Sequence, residues 1–202
     1  MKVIGITGGV GSGKSEILAY LEKRTNCRII IADRVAHELE KRGGACYERI
    51  VALLGEEVLA GNGEIDRAKM AAAIFADRKL LARINGIVHP AVKEYILSEI
   101  AGEKKEDRYD YLFIEAALLI EDGYMEIVDE LWYIHADETV RRDRLKASRG
   151  YSDEKIDSII REQLSEEDFY RHCVAVIDNS KQLNAAYEQI DKKLGEKLCQ
   201  KQ

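Results

Sequence analysis

The run Gly8-Gly9-Val10-Gly11-Ser12-Gly13-Lys14-Ser15 fits the pattern GxxxxGK[ST], and no other feature constrains the fold of this chain so tightly. It follows a short β-branched run, Lys2–Thr7 (KVIGIT). It opens a segment of helical spacing, Ser15–Arg24, in which Ile17, Leu18 and Leu21 are apolar. Strand, glycine-rich loop and helix in that order define a phosphate-binding loop. Glycines let the backbone curl so that successive N–H groups face phosphate oxygens. The helix N-terminus adds partial positive charge. Lys14 is then placed to reach the β- and γ-phosphates, and the Ser15 hydroxyl to ligate magnesium. The expected ligand is a nucleoside triphosphate with magnesium, touched by Gly9, Val10, Gly11, Ser12, Gly13, Lys14, Ser15 and Glu16.

Such a loop belongs in a parallel α/β sheet, and the rest of the chain supplies one. Apolar runs at Arg28–Ala32, Tyr109–Ile114, Leu131–His135 and Val174–Ile177 join Lys2–Thr7 as five expected strands. Helical patterns lie between them at Arg34–Lys41, Thr139–Ala147 and Ser152–Gln163, and a last one runs from about Lys181 to Leu198. Strands alternating with helices, each strand almost wholly apolar, predict a parallel sheet covered on both faces. Between Gly43 and Ile100 the pattern turns wholly helical, with amphipathic stretches at Ala45–Leu54, Asp66–Phe75 and Lys79–Ile100. Pro90 is expected to kink or break the last of these. Glu103–Arg108 reads as a charged, solvated link. The expected division is a nucleotide-binding core at 1–33 and 105–202, with a lid at about 141–165, and a helical insert at 34–104.

Composition limits the partners. The 202 residues are 46% hydrophobic and 34% charged, a globular balance, and the net charge is -6. An acidic chain is a poor coat for nucleic acid or anionic membrane, so neither is expected as a partner. Cys27, Cys46, Cys173 and Cys199 show no CxxC spacing and read as reduced thiols. MKVIGITGGV is Gly-broken and reads as no signal peptide. The longest apolar stretch, Tyr111 to Ile120, contains Glu115 and is too short to span a bilayer. A cytoplasmic protein, monomeric or weakly homo-oligomeric, is expected.

Several phosphate-loop classes are set aside by what the chain lacks. It has no Asn-Lys-x-Asp guanine-reading motif and no LSGGQ signature, and it is short for a helicase. A small kinase remains. That chemistry needs a carboxylate to orient the acceptor and arginines to neutralise the transferring phosphoryl group. Asp33, just after the second strand, suits the carboxylate role on the edge where ligands bind parallel sheets. It also suits a helix N-cap for Arg34–Lys41. Glu115 either contacts magnesium through water or caps the next helix. The segment Arg141–Arg149 holds Arg141, Arg142, Arg144, Lys146 and Arg149 against one acid, Asp143. It reads as a lid over phosphates or as a solvated helix face. Helical spacing sends Arg141 and Arg144 to one side and Arg142 elsewhere. His37, His135 and His172 have no partners at useful spacing, and Trp132 and Tyr133 read as packing.

These motifs together resemble the dephospho-coenzyme A kinase family. ITGGVGSGKS, IIAD, VHPAV, EAALLIE, the RL…RGYS region, Gln163 and VIDNS follow one another in the family's order and spacing from residue 1 to about 180. The resemblance implies a nucleoside-monophosphate-kinase type of fold, with a five-stranded parallel core, a helical insert for the coenzyme A precursor and a helical lid. It implies transfer of the ATP γ-phosphate to the 3′-hydroxyl of the ribose of dephospho-coenzyme A. By the same resemblance Lys14, Asp33, Arg144 and Arg149 form the catalytic set, with Asp33 the base. Thr7, Asp33, His89 and Leu118 bind the acceptor, Asn179 flanks the adenine, and ATP with magnesium is the phosphoryl donor. The chain departs from the family at Ile31, Glu16 and Ala117, where the family has Asp, Thr and Pro. Ser148 stands where the second lid arginine is usual, with Arg149 one place later, and Cys173-Val174-Ala175 differs near the adenine site. A kinase for another small acceptor, or a module that binds ATP without turnover, are the alternatives.

Overall fold

Five apolar runs form strands, β1 Lys2–Thr7, β2 Cys27–Ile31, β3 Tyr111–Glu115, β4 Glu130–His135 and β5 Ala175–Asp178, in a computed structural model that describes residues 1–198. Cys199 lies outside the described residues. The strands make one parallel sheet in the order β2-β3-β1-β4-β5. Ile4 stands opposite Phe113 on one side of β1 and opposite Glu130 on the other. Val3, Ile4, Ile6, Phe113, Trp132 and Ile134 are fully buried, as strands covered on both faces require.

Strand order fixes where a ligand can sit. The chain leaves β1 between two neighbours, β3 and β4, that are reached from opposite sides. This switch point opens a crevice beyond the C-terminal end of β1, and Gly8–Gly13 fill its rim.

Two compact units make up the chain. Residues 1–29 and 107–202 form the first, and residues 30–106 the second. In the first, α1 (Lys14–Arg24) follows the loop, and α6 (Glu138–Arg149), α7 (Asp153–Arg161) and α8 (Glu166–His172) come between β4 and β5. The final helix α9 is Leu183–Leu198. In the second unit are α2 (Ala32–Glu40), α3 (Tyr47–Leu54), α4 (Arg67–Ala76) and α5 (Arg78–Glu106). Asp66 caps α4 by accepting the N–H groups of Ala68 and Lys69 at 2.9 and 3.2 Å. No helix among the described residues is long and apolar enough to cross a membrane.

Three local expectations are corrected. α5 is one helix of 29 residues with Pro90 inside it, not two helices broken there. Ile84, Val88, Val92, Ile96 and Ile100 form a buried stripe at every fourth residue on both sides of the proline. Burial of that stripe outweighs the one hydrogen bond that proline removes. The same helix continues through Glu103–Glu106, and Glu103 is only 2% exposed, so the solvated link is shorter than its charge suggested. Asp33 lies in the first turn of α2 and not before it. The N-cap is Ile31, which makes no side-chain cap bond, so Asp33 is not the cap.

Candidate active site

The loop is held by its carbonyls. Lys14 Nζ folds back to donate to the Gly8 carbonyl at 2.8 Å and lies 3.6 Å from Glu115 Oε1. Arg141 Nε donates to the Val10 carbonyl at 2.9 Å. Asn179 Nδ2 donates to the Ser12 carbonyl at 2.8 Å, and Arg144 Nη1 reaches the same oxygen at 3.3 Å. Carbonyl oxygens repel phosphate, so engaging them with cationic and amide donors orients the loop for an anion.

Gly13 shows why the motif needs glycine at its sixth place. Its φ is +89°, in the left-handed region, and a Cβ there would collide with Nδ2 of Asn179. Asn179 itself is 1% exposed. Its backbone N–H donates to the His135 carbonyl at 2.8 Å, and its carbonyl accepts Arg144 Nη2 at 2.9 Å. Asn179 is thus a bracket joining the end of β4, the lid helix α6 and the loop.

Of the expected site residues, the first unit gathers Thr7, Gly9–Glu16, Arg144 and Asn179 about the loop. Thr7 ends β1 and is buried. Ser15 and Glu16 are exposed in the first turn of α1. The buried hydroxyls of Thr7 and Ser12 and the amide oxygen of Asn179 make no hydrogen bond within the protein. Three orphaned polar atoms at one place are what a ligand site leaves. Hard oxygens suit magnesium, and the Ser15 hydroxyl and the Glu115 carboxylate are such donors. Leu118 is 38% exposed in the turn after β3. In the second unit, Asp33 is exposed on α2, and His89 is partly buried on α5 just ahead of Pro90.

The lid arginines separate as helical spacing predicts. Arg141 and Arg144 face the loop. Arg142 turns away to Glu138 at 2.8 Å and Asp157 at 2.5 Å, and Lys146 pairs with Asp153 at 2.7 Å. Arg149 is exposed, its guanidinium 5.8 Å from the Tyr151 ring centre. Arg141, absent from the expected set, makes two bonds at the site: Nε to Val10 and Nη2 to Gln163 Oε1 at 2.5 Å. Burial pushes its guanidinium below its ordinary pKa.

His135 is a second omission. It has partners after all: Asp137, two residues on (3.3 Å), and Glu166 (2.8 Å), brought by α8, a helix not expected from the sequence. A signal for α8 exists in Ser165-Glu166-Glu167-Asp168, a capping-box pattern. The Ser165 hydroxyl accepts the Asp168 N–H at 3.2 Å and donates to its carboxylate at 2.6 Å. Tyr133 is core, as expected, stacked on Phe169 at 4.6 Å, and burial raises its hydroxyl to about 12.

A parallel sheet with a glycine-rich loop at its switch point, a lysine in that loop and arginines on the following lid defines a P-loop kinase. The chain belongs to the dephospho-CoA kinase family, whose model matches residues 2–185. It is 33% identical over 190 residues to a dephospho-CoA kinase of Carboxydothermus hydrogenoformans, covering 94% of this chain and 91% of that one. It is 33% identical over 196 residues to that of Geobacter sulfurreducens, covering 97% and 96%. Among solved structures, TT1252 from Thermus thermophilus superposes with a TM-score of 0.78 at 27% identity, over 96% of this chain and 97% of that one. Shikimate kinase from Bacteroides thetaiotaomicron shares the fold at a TM-score of 0.56 and 15% identity, over 98% of each chain. The chain is accordingly an ATP-dependent kinase of dephospho-CoA, an enzyme of coenzyme A biosynthesis.

Proposed function

We propose the following division of labour for that reaction. The N–H groups of Gly9–Ser15 and the ammonium of Lys14 receive the ATP triphosphate, with Glu16 at its edge, and Asn179 flanks the adenine. Ser15 holds magnesium, which supplies charge neutralisation on the phosphates when bound. Asp33 takes the proton from the 3′-hydroxyl of the acceptor ribose. As that oxygen bonds to the γ-phosphorus, the bond from phosphorus to the β–γ bridging oxygen breaks and ADP leaves. Arg144 and Arg149 neutralise charge on the transferring group. Thr7, His89 and Leu118 bind the acceptor, and the helical unit is its domain. The observation that carries this reading is the loop whose Gly8, Val10 and Ser12 carbonyls are drawn off by Lys14, Arg141 and Asn179.

The enzyme is further proposed to work in the cytoplasm as a monomer or weak homo-oligomer with no nucleic-acid partner. Its net charge of -6 and the free thiols of Cys27, Cys46 and Cys173 support that setting.

Magnesium-ATP and dephospho-coenzyme A should yield ADP and coenzyme A, phosphorylated at the 3′-oxygen by phosphorus NMR. Asp33→Asn should lower turnover by about 10²- to 10⁴-fold while ATP still binds, the range of a lost general base. Full turnover in that variant would remove Asp33 from the proton-transfer role.

A further inference from the structure

We propose that Arg141 is a positioning residue for ATP, fixing the Val10 carbonyl of the phosphate loop and tying the loop to the end of α7 through Gln163. The proposal rests on the reading of Gly8–Ser15 as the triphosphate cradle.

The guanidinium uses its planar fork in two directions. Nε donates to Val10 at 2.9 Å and Nη2 to Gln163 at 2.5 Å. Its plane lies against Gly9, where any Cβ would run into the guanidinium carbon and Nη2. No left-handed φ demands glycine at Gly9, but a Cβ there would have to displace the Arg141 guanidinium from the place it holds between Val10 and Gln163.

Charge makes the arrangement informative. Arg141 is partly buried, and among the described residues no carboxylate lies within ion-pair distance of it. Its neighbour Arg142 has Glu138, Asp153 and Asp157. A guanidinium withdrawn from water with its carboxylates, Glu138 and Glu166, beyond ion-pair distance is costly, and a nearby polyanion offsets that cost. Arg141 also lines, with Gln163, Tyr133 and Phe169, a cavity of about 380 Å³ in the first unit, whose outer wall carries the carboxylates of Asp137, Glu138 and Glu166. Gln163 follows the last turn of α7, so its bond makes the position of the lid and the shape of the loop one variable. ATP binding to an ordered loop is favoured, because less freedom is then lost on binding.

Steady-state kinetics and magnesium-ATP titration on the full chain test this. Arg141→Lys keeps the charge but loses the fork. It should raise the KM for ATP about tenfold, the worth of one charge-assisted hydrogen bond, and leave the KM for dephospho-coenzyme A unchanged. Gln163→Leu should do the same, and Gln163→Glu, which still accepts from Arg141, should recover most of the loss. In the double variant Arg141→Lys/Gln163→Leu the two effects should not add, because both break one strap. Equal rises in both KM values, additive losses, or a wild-type KM in Gln163→Leu would each overturn the proposal. Should Arg141→Lys fail to fold, the pair at Gln163 decides alone. Lys14→Ala separates the two levels. If it binds ATP like the wild type, the cradle reading fails, whereas loss of binding there with a normal Gln163→Leu rejects the strap only.

Discussion

Asn179 shows how much of the site depends on a residue that never needs to touch the reacting atoms. Its side chain and backbone engage Ser12, His135 and Arg144 at once. Asn179→Ala should leave the Ser12 carbonyl with only the longer bond from Arg144, at 3.3 Å, and cost about 1–3 kcal/mol in denaturant unfolding. Asn179→Asp should be worse, because a carboxylate replaces the donor that faces a carbonyl. An Asp variant more stable than the Ala variant would show that the amide donor is not what matters. In the sequence Asn179 stands out only through the family resemblance, which sets it beside the adenine. Nothing local connects it to Ser12, which is 167 residues away. The separation of Arg141 and Arg144 from Arg142 was legible, because helical period alone decides it. The use of Arg141 was not, because Val10 and Gln163 come to it from different elements.

At the scale of elements, the longer strands and helices were readable in existence and type, and their ends were not. Composition misled where it was locally loud. Pro90 suggested a break, and the charges of Glu103–Glu106 suggested solvent, yet a stripe of buried residues at fourfold spacing overrides both. α8 was overlooked because its seven residues carry little periodic signal, although Ser165 and Asp168 mark its start. The proline remains a local cost, since it has no N–H for the Gly86 carbonyl one turn earlier. Pro90→Ala should therefore stabilise the chain by about 1–3 kcal/mol in urea unfolding, the penalty of an interior helical proline less what the exposed site recovers from water. A lower stability in that variant would mean that the ring packs usefully or that the helix depends on a bend there.

For the molecule as a whole, alternation of apolar strands with helices was enough to foresee a parallel sheet. The lateral order β2-β3-β1-β4-β5 was not foreseen, since periodicity shows which face of an element is buried and not which strand lies beside it. Buried titratable groups of the first unit set a limit on alkaline stability. Tyr124 and Tyr133 are almost fully buried, and burial raises each hydroxyl from 10.0 to about 12. The Cys173 thiol, also desolvated, rises from 9.0 to about 12. In each case the folded state holds the proton more tightly than the unfolded chain. The stabilising contribution is therefore complete below the unfolded values, near pH 9 to 10, and is lost as pH rises toward 12. Unfolding followed by circular dichroism should set in over that window, with tyrosinate absorbance from the buried rings appearing together with the loss of structure. Tyr133→Phe should move the onset upward by removing one of the three groups. Tyrosinate formation by the buried rings while the fold stays intact would show that burial does not hold these protons, and the alkaline limit would have to come from other groups.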